Sequence, residues 1–361
     1  MAALYCYAPM TPDPRFELLR DWLQSDLNFV AVRLAPASAD ASFRRYFRAW
    51  LPDGGTRVVM DAPPTHEDLA GYLRVSGLLE QCSVHVPHVH AHDTERGLAL
   101  LEDLGSTHML TALQSGHDPD ALYTAALDEL AALQLRGEAA SAQLPPYDRA
   151  VLLREMQLLP DWFCIRHLGF EPDAAESRLL RETFEFLVVE ALEQPQVFVH
   201  RDYHSRNLMI VPERSPGVID FQDALRGPVA YDLASILKDC YVAWPRPRVE
   251  KWVAQFRARL EQGKGADLSG AALAGESHEQ FLRWFDLIGL QRHLKVLGIF
   301  ARLNHRDGKP GYLADLPRTL EYVREVAFGY PELRAFSAFV EDRLVPALPG
   351  ANARALAAVP A

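Results

Sequence analysis

The sequence predicts an α+β protein of two lobes, a small β-rich one in front and a larger, mainly helical one behind. Three observations predict it. Strand-like runs joined by turn signals crowd the first hundred residues, and helical periodicity takes over from Ser106. The helical stretch is then interrupted once, between 197 and 221, by short apolar runs that end in charged and amide groups. With 361 residues, 49% of them hydrophobic, the chain has apolar surface enough for two such bodies. The boundaries fall at 1–104 for the front lobe and 105–350 for the rear one, and the Ala-rich end at 351–361 is expected to fray.

Each element has a local reason. DPRFELLRDWLQSDL carries Phe16, Leu19, Trp22 and Leu23 at helical spacing. FVAVRLA, SFRRYFRAWL and TRVVMDA read as strands, the last two joined by the turn PDGG. EDLAGYLRVSGLLEQ reads as a helix, and VHVPHVHAHD and GLALLEDLG as two more strands. Helices follow at MLTALQ, ALYTAALDELAALQL, RAVLLREMQLL and ESRLLRETFEFLVVEAL. NLMIV, PERSPG and VIDF together form a hairpin with a loop of about six residues.

Several function classes are excluded early. A net charge of −11 argues against a nucleic-acid partner bound through its phosphates, while leaving room for a locally basic pocket. MAALYCYAPMTPDPRF is neither a signal peptide nor a membrane span, so a cytoplasmic protein with no membrane partner is expected. Cys6, Cys82, Cys164 and Cys240 are isolated, without the paired spacing of a zinc or redox site. His88, His90 and His92 alternate along a strand, the pattern of an exposed polar edge. GKG at 263–265 lacks the spacing of a phosphate-binding P-loop.

The chemistry concentrates in HRDYHSRN (200–207) and VIDFQD (218–223). In the predicted hairpin the start of one strand lies beside the end of the other, so Asn207 and Asp220 come roughly 5 Å apart. An amide and a carboxylate at that spacing suit one hard cation. Asp202, in the loop feeding the hairpin, faces the same point. Two carboxylates and an amide so grouped hold Mg²⁺ on phosphates and offer a base to a nucleophile.

His200-Arg201-Asp202 followed by Asn207 resembles the kinase catalytic loop H-R-D-x-x-x-x-N, and Asp220-Phe221 the metal-binding D-F pair. The resemblance implies a protein-kinase-like fold using ATP and Mg²⁺, with Asp202 accepting the substrate hydroxyl proton and Asn207 and Asp220 holding the metal. Only FQDALRGPVAY separates Asp220 from Asp232, too short for a protein-substrate platform. GPVAYDLAS resembles instead the aminoglycoside phosphotransferase and choline kinase-like superfamily, where the residue matching Asp232 opens a helix and supports the catalytic loop. LALLEDLG resembles that superfamily's hinge, which implies adenine contacts from the backbone around Glu102 and Leu104. SADASFRRYFR, VVMDAPP and LQRHLKVLGIFARLNHRDGKPGYLADLPR are similar to the bacterial cell-wall amino-sugar kinases, over roughly 15–320. Those enzymes phosphorylate the anomeric hydroxyl of N-acetylmuramate and N-acetylglucosamine. The resemblance implies a sugar 1-phosphate product, passed to a nucleotidyltransferase for peptidoglycan recycling.

The chain departs from the kinase pattern at two points. Met60 stands in or near the place of the phosphate-binding lysine, and no lysine precedes Lys238. Two readings stand: an arginine acts instead, or nothing does and the arginines of that strand form a solvated face. In SFRRYFR the alternation puts Phe43, Arg45 and Phe47 on a core face and Arg44, Tyr46 and Arg48 on the other, so Arg44 or Arg48 is the candidate phosphate clamp. The glycine-rich loop is replaced by PASADAS, where Ser38 or Ser42 would donate to phosphate. Glu67 and Glu80 lie where kinases keep a Glu for the missing lysine, and two readings stand for each: a solvated acid, or a partner of the arginine.

On the substrate side the helix QRHLKVLGIFARL sets Leu290, Leu294, Leu297 and Ala301 on one stripe and Arg292, Lys295, Ile299 and Arg302 on the opposite one. Two readings stand for its three cations: an anion site for a sugar carboxylate, or a solvated face. His204 and Arg226 are further candidates for touching the sugar. Two alternative functions are carried: a kinase for another alcohol such as an aminoglycoside, with Asp223, Glu102 or Asp103 as acids facing a cationic substrate, and a nucleotide-binding pseudokinase module.

Overall fold

The computed structural model describes residues 13–39, 43–263 and 276–357. The chain divides into two compact units. The first comprises the residues up to Thr107 together with Met209–Gln222, and the second comprises His108–Leu208 and Asp223 onward. The segment 209–222, expected in the rear lobe, thus belongs with the sheet. Its backbone explains why: the Val218 amide donates to the His85 carbonyl (2.7 Å) and the Ile210 amide to the Thr107 carbonyl (2.8 Å). The Phe221 ring also packs on Tyr72 at 4.8 Å.

The first unit is built on a five-stranded antiparallel sheet in the order β1-β2-β3-β5-β4. The strands are β1 (Arg33–Ala39), β2 (Arg45–Trp50), β3 (Thr56–Asp61), β4 (Val89–Asp93) and β5 (Leu98–Glu102). Leu19, Trp22 and Leu23 from the N-terminal helix pack with Phe47, Ala49, Val59, Leu98 and Leu100 of one sheet face. The other face carries Tyr46, paired in register with the fully buried Met60. Buried Asp61 is satisfied by Arg15 and Arg45, so its charge does not stand alone in the core.

Three strand expectations shift. β1 begins at Arg33, and its paired region runs through the PASA stretch that was expected to be the phosphate loop. An edge strand tolerates Pro36 because one side of it pairs with nothing, and the register slips between Pro36 and Ser38. Ser42 lies outside the described residues. β4 starts only after Pro87, which has no amide to give a ladder. Phe43 is exposed and stacks on His66 at 4.4 Å rather than joining the core. It precedes β2, so the alternation that buries Phe47 does not reach it.

The second unit is mainly helical. Aspartates cap the helices Pro119–Arg136, Arg149–Met156 and Ala174–Leu192, accepting the orphan amides of each first turn. The long helix His278–His305 runs through the core and is buried nearly all round from Trp284 to Gly298. Its approach to the π-helical turn Leu159–Leu168 depends on Gly298. A Cβ there would lie 2.4 Å from the Leu158 carbonyl carbon and oxygen, both backbone atoms that cannot turn aside. Alanine gains about 1 kcal/mol of helix propensity over glycine. Overpacking against fixed backbone costs about 1–3 kcal/mol, so Gly298→Ala is expected to lower the denaturation midpoint despite being the better helix former.

The expected frayed tail is corrected over 351–357, while 358–361 lie outside the described residues. Residues 345–357 form a helix. Ala351 is buried, and Asn352 bonds both His167 (2.8 Å) and the Leu313 carbonyl (3.3 Å).

Candidate active site

The site in the second unit begins where a buried strand ends. Gln196–Val199 pairs with Leu225–Pro228, and Val197, Phe198 and Val199 are buried. The chain then enters HRDYHSRN, whose polar backbone must find partners away from the ladder. Asp232, fully buried at the start of the helix Tyr231–Leu237, accepts the amides of His200 (2.6 Å) and Arg201 (3.0 Å). Asp239 accepts both the amide (2.9 Å) and hydroxyl (2.5 Å) of Ser205. Tyr203 is buried and donates to the Ala126 carbonyl (2.8 Å). His108 Nδ1 lies 2.6 Å from the Arg206 carbonyl. The loop is therefore fastened at almost every residue, which is what holds Arg201 at φ +76°, a region that costs a non-glycine residue about 1–3 kcal/mol.

Asp202 sits in the middle of this loop. Its carbonyl accepts the amide of His204 (3.0 Å) and Nδ2 of Asn207 (3.0 Å). The second bond orients the Asn207 amide, nitrogen toward the loop. Burial alone pushes the Asp202 carboxyl up, but Lys295, His204, Arg201 and Arg292 outweigh it and hold the group below its ordinary value. Asp202 is thus a carboxylate at neutral pH. Burial raises Asp232 to about 7, against the two amides that favour its ionised form.

Glu155 is the residue that sequence reasoning missed. It is buried, and it gathers Arg201, Lys295 (3.0 Å), the Tyr147 hydroxyl and Gln291 (3.3 Å). Burial would raise its carboxyl; Lys295 and Arg201, aided by Tyr147, bring it down to about 2. Lys295 Nζ also reaches the Tyr231 hydroxyl at 3.2 Å. Within the sequence, Glu155 reads as one more polar position of RAVLLREMQLL, and no signal marks it.

The solvated reading of the helical cations is corrected for two of the three. Arg292 and Lys295 are buried, Lys295 against Glu155 and Arg292 beside Cys240 Sγ (3.8 Å). The helix is enclosed on its charged side as well as its apolar one, so a stripe of cations became a set of internal partners. Arg302 is half-buried. Arg226 is exposed on Leu225–Pro228, and its side chain joins no ion pair among the described residues. His204 is half-buried, with its ring edge-on to Tyr241 at 5.5 Å.

In the first unit Asp220 has φ +64°, a second strained non-glycine position. Its carboxylate receives Arg44 (3.1 Å) and Gln222 (3.0 Å). Arg44 is buried and also faces Glu67 (3.5 Å). Glu80 instead meets His88 (3.1 Å), so Glu67 is the acid that pairs with the arginine. Arg48 turns its fork onto Asp103 (2.6 and 2.9 Å) and the Gly105 carbonyl (2.7 Å). Arg48 thus faces Asp103 and the Gly105 carbonyl, whereas Arg44 stands beside Asp220. The Glu102 amide donates to the His88 carbonyl (2.8 Å), and Leu104 is buried against Gly217, where a Cβ would come within 2.7 Å of its side chain.

A family model described as the phosphotransferase enzyme family matches residues 33–273. A relative from Pseudomonas aeruginosa named N-acetylmuramate/N-acetylglucosamine kinase is 48% identical over 334 residues, covering 90% of this chain and 95% of the relative. The chain belongs to the phosphotransferase enzyme family. Relatives of the same name from Pseudomonas putida and Neisseria meningitidis are 42% and 43% identical; they cover 91% and 90% of this chain and 97% and 94% of their own lengths. Among solved structures, a choline kinase from Streptococcus pneumoniae has a TM-score of 0.59 at 13% identity, covering 86% of this chain and 99% of that one. The GDP complex of aminoglycoside 2'-phosphotransferase-IIIa has a TM-score of 0.57 at 14% identity, covering 88% and 100%. At such identities the likeness carries the fold, which is the kinase-like α+β fold that the H-R-D loop led us to expect.

Proposed function

We propose that this phosphotransferase moves the γ-phosphate of ATP to the anomeric hydroxyl of N-acetylmuramate and N-acetylglucosamine, releasing the sugar 1-phosphate. The observation that carries the reading is the relative of that name at 48% identity over nearly its whole length, in a chain that keeps Asp202, Asn207 and Asp220. Asp202 takes the hydroxyl hydrogen as an acceptor and aims the oxygen at phosphorus. Because its carboxyl is held low, orientation is its main contribution, and it receives the proton only as the new bond forms. This suits a loose transition state that asks little of a base.

Asn207 and Asp220 offer an amide oxygen and a carboxylate, hard donors that fit Mg²⁺. Among the described residues no three His, Cys, Asp or Glu side chains form a metal cage. That also fits an ion held largely by phosphates and water. When bound there, Mg²⁺ would offset the negative charge of the phosphates. Arg44, already beside Asp220, is the phosphate clamp in place of the missing lysine, and Glu67 orients it. Adenine contacts fall to the backbone at Glu102 and Leu104; with the Glu102 amide engaged, its carbonyl is the group that serves.

Arg44→Gln is expected to raise KM for Mg·ATP by about tenfold or more, the scale of a charge-assisted hydrogen bond. Arg48→Gln is expected to act on stability instead, by about 1–3 kcal/mol, since it strips Asp103 of its fork. Steady-state kinetics beside urea melts of both variants check the division of roles.

No helix among the described residues is long and apolar enough to cross a membrane, and we place the enzyme in the cytoplasm. There a nucleotidyltransferase would consume its product in peptidoglycan recycling. ADP release measured with N-acetylmuramate, N-acetylglucosamine, glucose and an aminoglycoside tests the reading. Turnover with the two amino sugars supports it. Turnover only with the aminoglycoside overturns the substrate class, and silence with all four leaves a nucleotide-binding module.

A further inference from the structure

A cationic and aromatic surface borders the catalytic loop, and the functions assigned above leave it unused. The Arg206 guanidinium lies over the Tyr241 ring, 3.6 Å from its centre. Tyr241 continues into Phe300 at 6.3 Å, and Phe300 into Tyr312 at 5.2 Å. His204 stands edge-on to Tyr241 at 5.5 Å, and its buried Nδ1 has no hydrogen-bond partner among the described residues. All five side chains belong to the second unit, and two of them, His204 and Arg206, sit two and four residues beyond Asp202.

Arg206 is exposed and makes no ion pair among the described residues. Asp315 feels Arg206 electrostatically without pairing with it, and its ion-pair partner is Arg318 at 3.6 Å, which also donates to the Cys240 carbonyl (2.9 Å). A guanidinium stacked on an aromatic face spends its π-surface there and keeps its N–H donors in the plane, pointing sideways. That is the presentation a carboxylate takes bidentately. The other cations considered for this role are placed differently. Lys295 and Arg292 are buried beneath the loop. Arg302, two residues past Phe300, turns about 200° round the helix from it. An orphaned polar nitrogen beside the nucleophile's acceptor, an aromatic wall and one uncommitted cation match what a ligand with an apolar ring face, hydroxyls and a carboxylate requires.

We propose that Arg206, laid on Tyr241, receives the lactyl carboxylate of N-acetylmuramate, while His204 Nδ1 takes a sugar hydroxyl and Tyr241 and Tyr312, backed by the buried Phe300, line the ring. The assignment rests on the function proposed above. It makes Arg206 the residue that discriminates the acidic amino sugar from N-acetylglucosamine, which lacks the lactyl group.

The test compares kcat/KM for N-acetylmuramate, its methyl ester and N-acetylglucosamine in the wild type, Arg206→Gln and Arg206→Lys. In the wild type, esterification is expected to lower kcat/KM by about tenfold, the value of one exposed charge-assisted pair. Arg206→Gln is expected to lower the ratio of N-acetylmuramate to N-acetylglucosamine turnover by a similar factor and to treat acid and ester alike. Arg206→Lys should recover part of the ratio. A ratio unmoved by Arg206→Gln, or a wild type indifferent to the ester, overturns the assignment while the sugar kinase stands. A wild type that phosphorylates neither sugar overturns both. The ester comparison in the wild type needs no variant, so the question survives a substitution that fails to fold.

Discussion

Asp202→Asn is expected to lower kcat by about 10²–10⁴-fold, the range for removing a positioned acid–base group, with KM for Mg·ATP little changed. The side chain keeps its size and its place in a loop pinned through Asp232 and Asp239, so the fold has no reason to respond. What is lost is the negative charge that accepts the substrate hydroxyl. That charge is secured by Lys295, Arg201 and Arg292, which outweigh the burial of the carboxyl. Asp220→Ala belongs to a different class, because under the proposed function it removes a metal ligand and Mg·ATP binding should fall with it. Titration of nucleotide binding beside single-turnover kinetics separates the two. Equal and mild losses in both variants would contradict this division between proton acceptor and metal ligand.

Glu155→Ala is expected to destabilise the protein by about 3–5 kcal/mol, the scale for stripping a buried charge of its partner. The change leaves Lys295 and Arg201 facing each other in the interior without the carboxylate that joins them. The pH dependence follows from the direction of the shift. Glu155 is held at about 2 when folded against an ordinary value of 4.5, so its contribution is fully present above 4.5 and is lost as the pH falls toward 2. The difference in urea stability between wild type and variant should therefore be flat near neutrality and shrink through that window, by roughly 3 kcal/mol for a shift of this size. A difference independent of pH down to about 2 would assign the loss to packing alone.

The HRDYHSRN loop stood out in the sequence because its residue types are not those that end a core strand. Asp202, Asn207 and Asp220 sit where apolar runs end, and such a density of polar groups directly behind VFV is not what core strands need. The sheet was legible for a related reason, since alternation in β2 and β3 records which face is buried. What stayed hidden depends on partners distant in sequence. Alternation put Arg44 and Arg48 on one face but could not show that Asp103 fills the fork of one while Asp220 and Glu67 receive the other. Arg292 and Lys295 looked like a polar stripe, because periodicity tells which residues share a face and not whether that face is covered. Lys295 is met there by Glu155 and Tyr231, and Arg292 by Cys240, partners distant in sequence. Residues 351–357 looked like a fraying tail from composition, yet Asn352 ties that helix to His167, a contact across 185 positions.

The central claim is that the phosphate lands on C1 of an amino sugar, and the most direct measurement reads that bond. N-acetylmuramate labelled with carbon-13 at C1 would be incubated with the enzyme, ATP and Mg²⁺, and the product followed by carbon and phosphorus NMR. The account predicts a C1 resonance split by phosphorus, formed at a rate that collapses in Asp202→Asn. A product whose C1 signal stays unsplit while a phosphate ester appears elsewhere on the sugar would contradict it.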